Sequence, residues 1–596
     1  MNYSQELLTS LFWIVKAMSI TALFFSFTVW ALVKTTRWGH QFWLLARGYL
    51  SPKRSLKPLT FFVVIVFFNL VSVRLDILFS EWYKAMYDAL QKMDANVFWI
   101  QMAVFSVLAA VHIGNILLTY YLTQYFTIQW RTWLNEQMVE KWTQNQAYYK
   151  SQYVYNQLDN PDQRIQQDVQ SFVSSSLSFA TGVISSAVSI VAFTQILWNL
   201  SGPMTISGVT IPHAMVYLVF IYVLVTSVIA FKIGRPLIHL NFANERLNAN
   251  YRYSLIRVKE YAESIAFFRG EKMEKSVLFK QFKQVIDNVW KMVYMTLKLS
   301  GFNVMMTQIS VIFPFIIQAG RYFSNQIQLG DLIQTAQSFG RVQSALSYFR
   351  NAYDDFTGYR AVLDRLTGFH TAITQATGTS NVVIKNSESA VIFDELFVKK
   401  PTGEVLIKNL SLTLPQGATV LIKGPSGAGK TTLLRTLAGL WSFSEGSVSY
   451  PLHQALFLSQ KPYLPQGRLI DALYYPTVAP ENVDLNQAAE IMQQVQLGHL
   501  ADKLEQENDW TRVLSLGEQQ RLSFARLLMH KPAVAFLDEA TASMDEGLED
   551  AMYRLLREKL PNTTIISVGH RSTLQRHHQQ QLVINPEKQS WDLLTS

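Results

Sequence analysis

The 596-residue sequence contains no cysteine, so it can form neither a disulfide bond nor a zinc site built on thiolates. It is also short of charge, since only 16% of its residues are Asp, Glu, Lys or Arg, whereas 49% are hydrophobic and 13% aromatic. The long apolar runs lie before about Ala345, and the last third has the mixed polarity of a soluble α/β domain. This asymmetry indicates a membrane-embedded half followed by a water-facing half.

The net charge of +9 is typical of two kinds of protein, those that bind nucleic acid and those that span a membrane. Residues 34–58 contain six Lys or Arg and no acid, and they directly follow the first apolar run. Because cytoplasmic loops of membrane proteins are rich in Lys and Arg, we attribute the charge to membrane topology and expect no nucleic-acid partner.

The first apolar run extends from Leu11 to Val33, and no Lys or Arg precedes it. A cleavable signal peptide has a shorter apolar segment with its positive charge upstream. We therefore expect a retained span whose N-terminus lies outside and whose basic C-terminal flank lies inside.

Five further apolar runs are each close to the length that a bilayer demands of a helix. They are Leu59–Phe79, Val97–Leu122, Phe172–Trp198, His213–Phe231 and Gly301–Gly320. Residues 80–96 and 199–212 are short and poor in Lys and Arg, whereas residues 125–170 and 232–297 are long and basic. The long segments are therefore predicted to be cytoplasmic.

The segment GPSGAGKT, residues 424–431, fits the phosphate-binding pattern G-x-x-x-x-G-K-[ST] between an apolar strand and a helix. The predicted nucleotide-binding residues of this loop are Gly424, Pro425, Ser426, Gly427, Ala428, Gly429, Lys430, Thr431 and Thr432. The glycines let backbone N–H groups surround phosphate, Lys430 supplies a positive charge, and the Thr431 hydroxyl suits Mg²⁺.

About a hundred residues later, the apolar strand AVAFLDEA ends in Asp538 and Glu539. Asp538 is placed to hold Mg²⁺ through water, and Glu539 to polarise an attacking water molecule. Two acids also occur at the ends of surface hairpins, but the phosphate loop upstream favours catalysis. The sequence thus predicts an ATP hydrolase in which Lys430, Asp538 and Glu539 are catalytic.

A cytoplasmic ATP site requires one more membrane crossing after Gly320. The best candidate is residues 332–349, where polar side chains recur at helical spacing opposite an apolar face. The polar stripe comprises Gln334, Gln337, Ser338, Arg341, Ser344 and Tyr348. Such a helix spans lipid only if the stripe faces protein or water, and the alternative is an amphipathic cytoplasmic linker.

The order of the phosphate loop, FLSQKPYL, LSLGEQQR, FLDEATASMD and SVGHR resembles that of ATP-binding cassette (ABC) domains. The resemblance implies ATP and Mg²⁺ as cofactors and a role for Gln460 in sensing Mg²⁺. It also implies that Ser515 and Gly517 grip the γ-phosphate bound by a second cassette. Asp545 then communicates across the dimer, and His570 contacts the γ-phosphate as a catalytic residue.

Two departures from the ABC pattern stand out. Leu516 occupies the first glycine position of the usual L-S-G-G signature. The position expected to hold an adenine-stacking aromatic is closest to Lys400, with Phe397 three residues away.

The membrane half resembles those of peroxisomal fatty-acyl ABC half-transporters and of the bacterial SbmA/BacA-like group, through DNPDQRI (residues 159–165) and the segment 234–271. The resemblance implies a polytopic α-helical membrane domain, with a six-helix exporter-like core plus one extra N-terminal span, fused to a C-terminal α/β nucleotide-binding domain. The expected boundaries are 1–56 for the first span and basic segment, 57–352 for the transmembrane domain, 353–386 for a linker and 387–596 for the cassette. The stretch Glu260–Glu263 is expected to dock on an ATPase domain.

Four polar residues fall within or beside the predicted spans, namely Arg74, Asp76, His112 and Asn115. Because such groups are costly in lipid, they should face the interior of the helix bundle or water. For Arg74 and Asp76 two interpretations remain, an ion pair with each other or contact with substrate.

These features predict an ATP-driven transporter that moves a peptide, a cobalamin-like compound or an acyl compound across the bacterial inner membrane by alternating access. The cassette would be cytoplasmic. Because the sequence has one phosphate loop and one signature, two copies are needed, most simply as a homodimer. The alternative is a membrane-tethered ABC ATPase that does mechanical or regulatory work and transports no solute.

Overall fold

The computed structural model describes residues 3–51, 56–154, 160–206, 209–378 and 382–595. Residues 52–55 of the predicted basic segment, and Asp159 of the first inner-loop motif, lie outside these ranges. The chain forms two compact units. One comprises Met1–Met138 and Asn160–Gly368, and the other comprises Val139–Asp159 and Phe369–Ser596.

Long helices make up most of the chain up to residue 378. They are α1 (Tyr3–Thr35), α2 (Arg37–Leu50), α3 (Lys57–Gln91), α4 (Ala95–Thr143), α5 (Ala147–Val154), α6 (Pro161–Gln163), α7 (Val169–Leu200), α8 (Ala214–Glu260), α9 (Ala262–Phe268), α10 (Glu271–Phe323) and α11 (Leu329–Gly378). A short hairpin of β1 (Met204–Ile206) and β2 (Val209–Ile211) joins α7 to α8.

Within the described ranges, six helices are long and apolar enough to cross a membrane, namely α1, α3, α4, α7, α8 and α10. They contain the six apolar runs of the sequence, except that α8 begins at Ala214, one residue after the start of its run. Helix α11 has 50 residues but is not among them, because its polar stripe lowers its hydropathy. Its role as a seventh crossing therefore stays a prediction.

Several helices are far longer than a bilayer requires. At about 1.5 Å per residue, the 49 residues of α4, 47 of α8 and 53 of α10 each extend over roughly 70–80 Å. The hydrocarbon core of a bilayer is only about 30 Å thick. The basic C-terminal part of α4 is therefore helical and continuous with its apolar span. The same holds for the basic parts of α8 and α10 on either side of α9.

The ion pairs of the first unit differ from the pairing considered above. Arg74 does not pair with Asp76. It donates to Glu6 Oε1 at 2.7 Å and to Ser10 Oγ at 3.0 Å, whereas Asp76 accepts from Arg341 Nη2 at 2.7 Å. Residues two apart on a helix point in nearly opposite directions, so Arg74 faces α1 and Asp76 faces α11.

The two remaining polar residues make local contacts. Asn115 donates to Ser72 Oγ at 2.6 Å and to Phe68 O at 3.2 Å, which ties α4 to α3. The His112 ring lies edge-on to Phe79, with the ring centroids 5.5 Å apart. Both residues thus face a neighbouring helix of the bundle.

The second unit is built on two sheets. Its strands are β3 (Val382–Asn386), β4 (Val391–Lys399), β5 (Val405–Leu414), β6 (Thr419–Lys423), β7 (Ser444–Tyr450), β8 (Ala455–Leu458), β9 (Gly467–Arg468), β10 (Glu507–Asn508), β11 (Val534–Asp538), β12 (Thr564–Val568), β13 (Gln580–Asn585) and β14 (Ser590–Thr595). A six-stranded sheet has the order β14-β13-β6-β12-β11-β8, and a four-stranded sheet has the order β3-β7-β4-β5. Strands β9 and β10 form a separate antiparallel pair.

The helices of this unit lie between and after the strands. They are α12 (Lys430–Leu437), α13 (Leu469–Tyr474), α14 (Leu485–Gln494), α15 (Trp510–Val513), α16 (Leu516–His530) and α17 (Glu546–Lys559). In the large sheet, β13, β6, β12, β11 and β8 run parallel, and β14 is antiparallel at the edge. The side chains of the three central strands β6, β12 and β11 are buried on both faces, as expected for a parallel sheet covered by helices.

A segment from early in the chain belongs to this second unit. The Tyr153 ring of α5 meets the Trp441 ring edge-on, with centroids 5.0 Å apart, and it packs on the core of the small sheet. Tyr149, one turn earlier, lies with its hydroxyl 3.2 Å from that of Tyr153. Sequence reasoning placed a docking element only at residues 260–263, so α5 is an addition to it.

Candidate ATP site

The order of the strands brings four separate motifs to one edge of the large sheet. Strands β6, β12, β11 and β8 are neighbours and parallel, so their carboxyl ends meet at the same edge. The phosphate loop follows β6, His570 follows β12, and Gln460 follows β8. Asp538 is the last residue of β11, and Glu539 comes directly after it. Ligands of open parallel sheets bind at this edge, where the strands end.

The phosphate loop takes a backbone path that only glycine follows without strain. Gly427 and Gly429 have φ angles of 81° and 92°, in the left-handed region. A Cβ on Gly424 would lie 2.8 Å from the Ile584 carbonyl oxygen, and a Cβ on Gly429 would lie 3.2 Å from Leu406. Ala428 is buried beneath the loop, whereas Pro425 and Ser426 are exposed on it.

Helix α12 begins at Lys430, so its first N–H groups and the loop amides converge where a phosphate would bind. Lys430 Nζ donates to Gly424 O at 2.9 Å and to Pro425 O at 3.0 Å, which holds the ammonium group over the loop. Burial lowers the pKa of Lys430, and the nearby carboxylates of Glu539 and Asp538 oppose this shift. Thr432, next on the helix, is half-buried.

Thr431 and Asp538 form the pair best suited to Mg²⁺. Thr431 Oγ1 donates to Asp538 Oδ1 at 3.2 Å. Burial raises the pKa of Asp538, an effect that the hydrogen bond from Thr431 partly offsets. Across the described residues no cluster of three His, Asp or Glu side chains is arranged around a metal position. Mg²⁺ would not need one here, because phosphate oxygens of the nucleotide and water would supply its remaining ligands.

Glu539 is held between Gln460 and His570. Gln460 Nε2 donates to Glu539 Oε2 at 2.9 Å, and His570 Nε2 lies 3.3 Å from Glu539 Oε1. Glu539 itself has φ of 47°, an uncommon conformation for a residue with a side chain, and its N–H donates to Val568 O of β12 at 3.1 Å. The strained backbone at the strand end is typical of a functional position.

The signature segment is capped and faces outward. Ser515 is the N-cap of α16 and forms a capping box with Glu518. Ser515 is exposed, and Leu516 has 41% of its surface accessible. A Cβ on Gly517 would lie 3.0 Å from Ser543 O, so the segment passes close to the loop before Asp545. Asp545 caps α17 by accepting from Leu548 N–H at 2.8 Å.

Two residues that sequence reasoning did not single out connect these loops. Gln520 is fully buried, donates to Gln460 O at 2.9 Å and accepts from Ser543 N–H at 2.9 Å. Arg571, next to His570, donates to Met544 O at 2.7 Å and to Ala542 O at 3.1 Å. Both lie within motifs recognised in the sequence, but nothing local to those motifs reveals which backbone groups they bond.

Lys400 and Phe397 are the residues nearest the position where an aromatic that stacks on adenine is expected. Lys400 Nζ pairs with Glu404 at 2.9 Å, and Phe397 is half-buried in β4 opposite Glu445 of β7. Both side chains therefore have structural neighbours within their own sheet or turn.

Comparison with known proteins supplies the context for this geometry. Residues 45–323 match the family described as ABC transporter transmembrane region 2, and residues 407–542 match the family described as ABC transporter. An uncharacterized ABC transporter ATP-binding protein of Haemophilus influenzae is 60% identical over 594 residues, which is 100% of both chains. The lysosomal cobalamin transporter ABCD4 of Homo sapiens is 28% identical over 496 residues, covering 76% of this chain and 79% of that protein.

A solved structure shares the fold. The structure of a bacterial Atm1-family ABC exporter with ATP bound is similar with a TM-score of 0.66, covering 91% of this chain and 96% of that one. At 16% sequence identity the likeness establishes the architecture of the chain and not its substrate.

Proposed function

Because this chain belongs to the ABC transporter family, we propose that it carries a peptide, a cobalamin-like compound or an acyl compound across the bacterial inner membrane. The predicted fold class, a polytopic helical membrane domain fused to an α/β cassette, is confirmed by the exporter fold. The predicted resemblance to ABC half-transporters is also confirmed, since ATP-binding cassette sub-family D member 3 of Mus musculus and human ABCD4 are both similar to this chain. ATP binding, and hydrolysis coupled to transport, follow from membership of the family.

The contact of Glu539 with both Gln460 and His570 carries the proposal for catalysis. A carboxylate beside the phosphate loop can accept a proton from an attacking water molecule. In this role Glu539 is the general base. Lys430 and the loop amides would neutralise the β- and γ-phosphates of a bound ATP, and Thr431, Asp538 and Gln460 would hold Mg²⁺. Since Gln460 and His570 both touch Glu539, closure of the site on the γ-phosphate would aim the base.

Three features support a second copy as partner. Ser515 is exposed, as expected of a signature that completes another cassette's site. Helix α10 has only five buried residues among its 53, namely Val285, Asn288, Ser310, Pro314 and Gln318. Helix α9 ends in Phe267 and Phe268, which are 78% and 86% exposed. We assign α9, with the adjoining Glu260–Glu263 stretch, to docking on a cassette.

The transport pathway is proposed to run beside α11. Gln334 and Ser338 are buried, Gln337 is half-buried, and Ser344 is exposed. Arg341 keeps 52% of its side chain accessible even though it pairs with Asp76. An accessible cation at this depth costs about 3 kcal/mol in lipid, which favours a water-filled cavity between two copies.

The proposed domain boundaries are those predicted from the sequence. In the proposed topology the chain has seven membrane spans, an outer N-terminus and a cytoplasmic cassette. The absence of cysteine allows a direct test with single cysteines at Ser4, Asp94, Leu56 and Glu271. An impermeant thiol reagent applied from outside should label Ser4→Cys and Asp94→Cys, and should label Leu56→Cys and Glu271→Cys only after the membrane is opened. Labelling of Ser4→Cys and Leu56→Cys from the same side would remove the first span from the topology.

Transport itself is tested in proteoliposomes containing the purified chain. Cobalamin, a cationic peptide and an acyl compound are each assayed for ATPase stimulation and for ATP-dependent accumulation, with Glu539→Gln as the inactive control. We expect one class to do both in the wild type and neither in the control. ATP hydrolysis that is unaffected by every solute and accompanied by no accumulation would instead support the membrane-tethered ATPase.

A further inference from the structure

A deep groove runs along one face of α1 in the first unit. It has a volume of about 960 Å³ and lies between α1, α7 and α11, with Trp38 and Phe42 of α2 at one end. Residues of α1 line it at helical spacing, including Thr9, Trp13, Lys16, Ile20, Phe24 and Val33. The groove therefore follows α1 over about 36 Å, the full thickness of a bilayer.

Charge is confined to one end of the groove, whereas hydroxyl groups of Thr9, Thr21, Thr28 and Ser176 occur along its length. Lys16 is the one charged residue among those that line it. Gln195, near the C-terminus of α7, is the one lining residue with an amide side chain. The Phe42 and Phe172 rings are 6.0 Å apart, so the start of α7 lies beside the chain that follows α1. The two helices thus run antiparallel, which places Gln195 toward the same end as Thr9 and Lys16. The other end is aromatic, with Phe42, Phe179 and Phe356.

Lys16 has no partner of its own within the described part of the chain. The nearest acid along α1, Glu6, pairs with Arg74 at 2.7 Å. No other described carboxylate forms an ion pair with Lys16, whose side chain is exposed. A lysine this close to the end of a span extends its ammonium group toward the headgroup region while its methylene groups stay in the apolar layer.

The groove has a cationic end and a long apolar remainder, and this arrangement is complementary to a lipid. From Lys16 to Val33 the groove extends about 26 Å along α1. One leaflet is only about 15 Å deep, so a whole acyl chain fits below Lys16. We propose that the groove is a specific site for one anionic phospholipid of the surrounding bilayer, with its phosphate on Lys16 and an acyl chain along α1.

The proposal is tested with the full chain purified in detergent and supplied with either phosphatidylglycerol or phosphatidylcholine. Native mass spectrometry counts the lipids that each protein retains as detergent is raised. We expect wild type to retain phosphatidylglycerol preferentially and Lys16→Gln to retain it about fivefold less well, the loss typical of one lysine at an anionic surface. Lys34→Gln is the matched control, since Lys34 lies on the same helix, over the Trp30 ring at 4.7 Å, and does not line the groove.

A second variant tests the apolar part of the site. Ala187 of α7 lines the groove, so Ala187→Trp should fill it and reduce retention of both lipids, while Lys16→Gln should reduce retention of phosphatidylglycerol more than that of phosphatidylcholine, because choline already offsets the charge of the phosphate. Equal retention of both lipids by wild type, or an unchanged preference in Lys16→Gln, would overturn the proposal. Efficient crosslinking of two chains through Ile20→Cys would also overturn it, by assigning the groove to a second copy.

Discussion

Arg341 of α11 donates to Asp76 of α3 with a separation of 2.7 Å between Nη2 and Oδ1, across 265 positions of the sequence. Asp76 is 23% accessible and Arg341 is 52% accessible, so the pair is anchored on the carboxylate side and open on the guanidinium side. The open side is what distinguishes this pair from a purely structural one, which would bury both partners.

Arg341→Gln should alter function more than folding. A partly exposed ion pair contributes only about 1 kcal/mol, so the melting temperature of the purified protein should fall by no more than about 2–4 °C. If Arg341 faces the solute pathway, substrate-stimulated ATPase should change several-fold in proteoliposomes. Arg360→Gln, an exposed arginine on the same helix, is the control. A large drop in melting temperature with unchanged stimulation of the folded fraction would make the pair structural.

Glu539→Gln should leave ATP binding intact and reduce turnover by two or more orders of magnitude. The amide still accepts from Gln460 but cannot take a proton from water, which corresponds to roughly 3 kcal/mol or more of lost transition-state stabilisation. ATPase activity and nucleotide binding of the purified chain are the measurements. Glu546→Gln, an exposed acid in the first turn of α17, is the control. Turnover near that of wild type would exclude Glu539 as the base.

Gln520→Leu should lower kcat for ATP with a smaller effect on KM. Its buried amide joins the backbone at Gln460 to the backbone at Ser543, so its loss removes one hydrogen bond from each loop and frees both. The matched control is Tyr553→Phe, which removes another buried hydrogen bond of the cassette, to Ser567 at 3.1 Å. Similar losses of stability with a kcat defect only in Gln520→Leu would establish a positioning role. Equal kinetic effects in both would indicate a general loss of packing.

Asp538→Asn should stabilise the cassette while it impairs Mg²⁺-dependent hydrolysis. Burial raises the pKa of Asp538 in the folded state. The free energy of unfolding therefore falls as the pH rises from the unfolded pKa, about 3.9, through the folded one. At neutral pH the charged carboxylate lowers stability, and the neutral amide removes that cost. Thermal unfolding of wild type and variant should diverge as pH rises through this window, and a lower melting temperature of the variant at pH 7 would contradict the argument.

Much of the site is predictable because its chemistry is local. A phosphate loop needs glycines, a lysine and a hydroxyl at fixed spacing, so residues 424–431 carry their own signature. Asp538 and Glu539 are recognisable in the sequence as two acids at the end of an apolar strand. The six apolar runs likewise determine six membrane-length helices, since the length of a span follows from the thickness of a bilayer.

The partners of these residues depended on the tertiary structure. The sequence left open whether Arg74 and Asp76 form an ion pair with each other or contact substrate, yet each bonds a different helix. The direction of a side chain follows the helical turn, and its partners are distant in sequence. The order of strands, and not any motif, brings Gln460 and His570 next to Glu539. It also places Gln520 between two loops. Apolar runs indicated that the chain spans a membrane, and short motifs indicated that it binds ATP. Long-range packing decided which groups meet, because contacts between remote segments leave no periodic trace in the sequence.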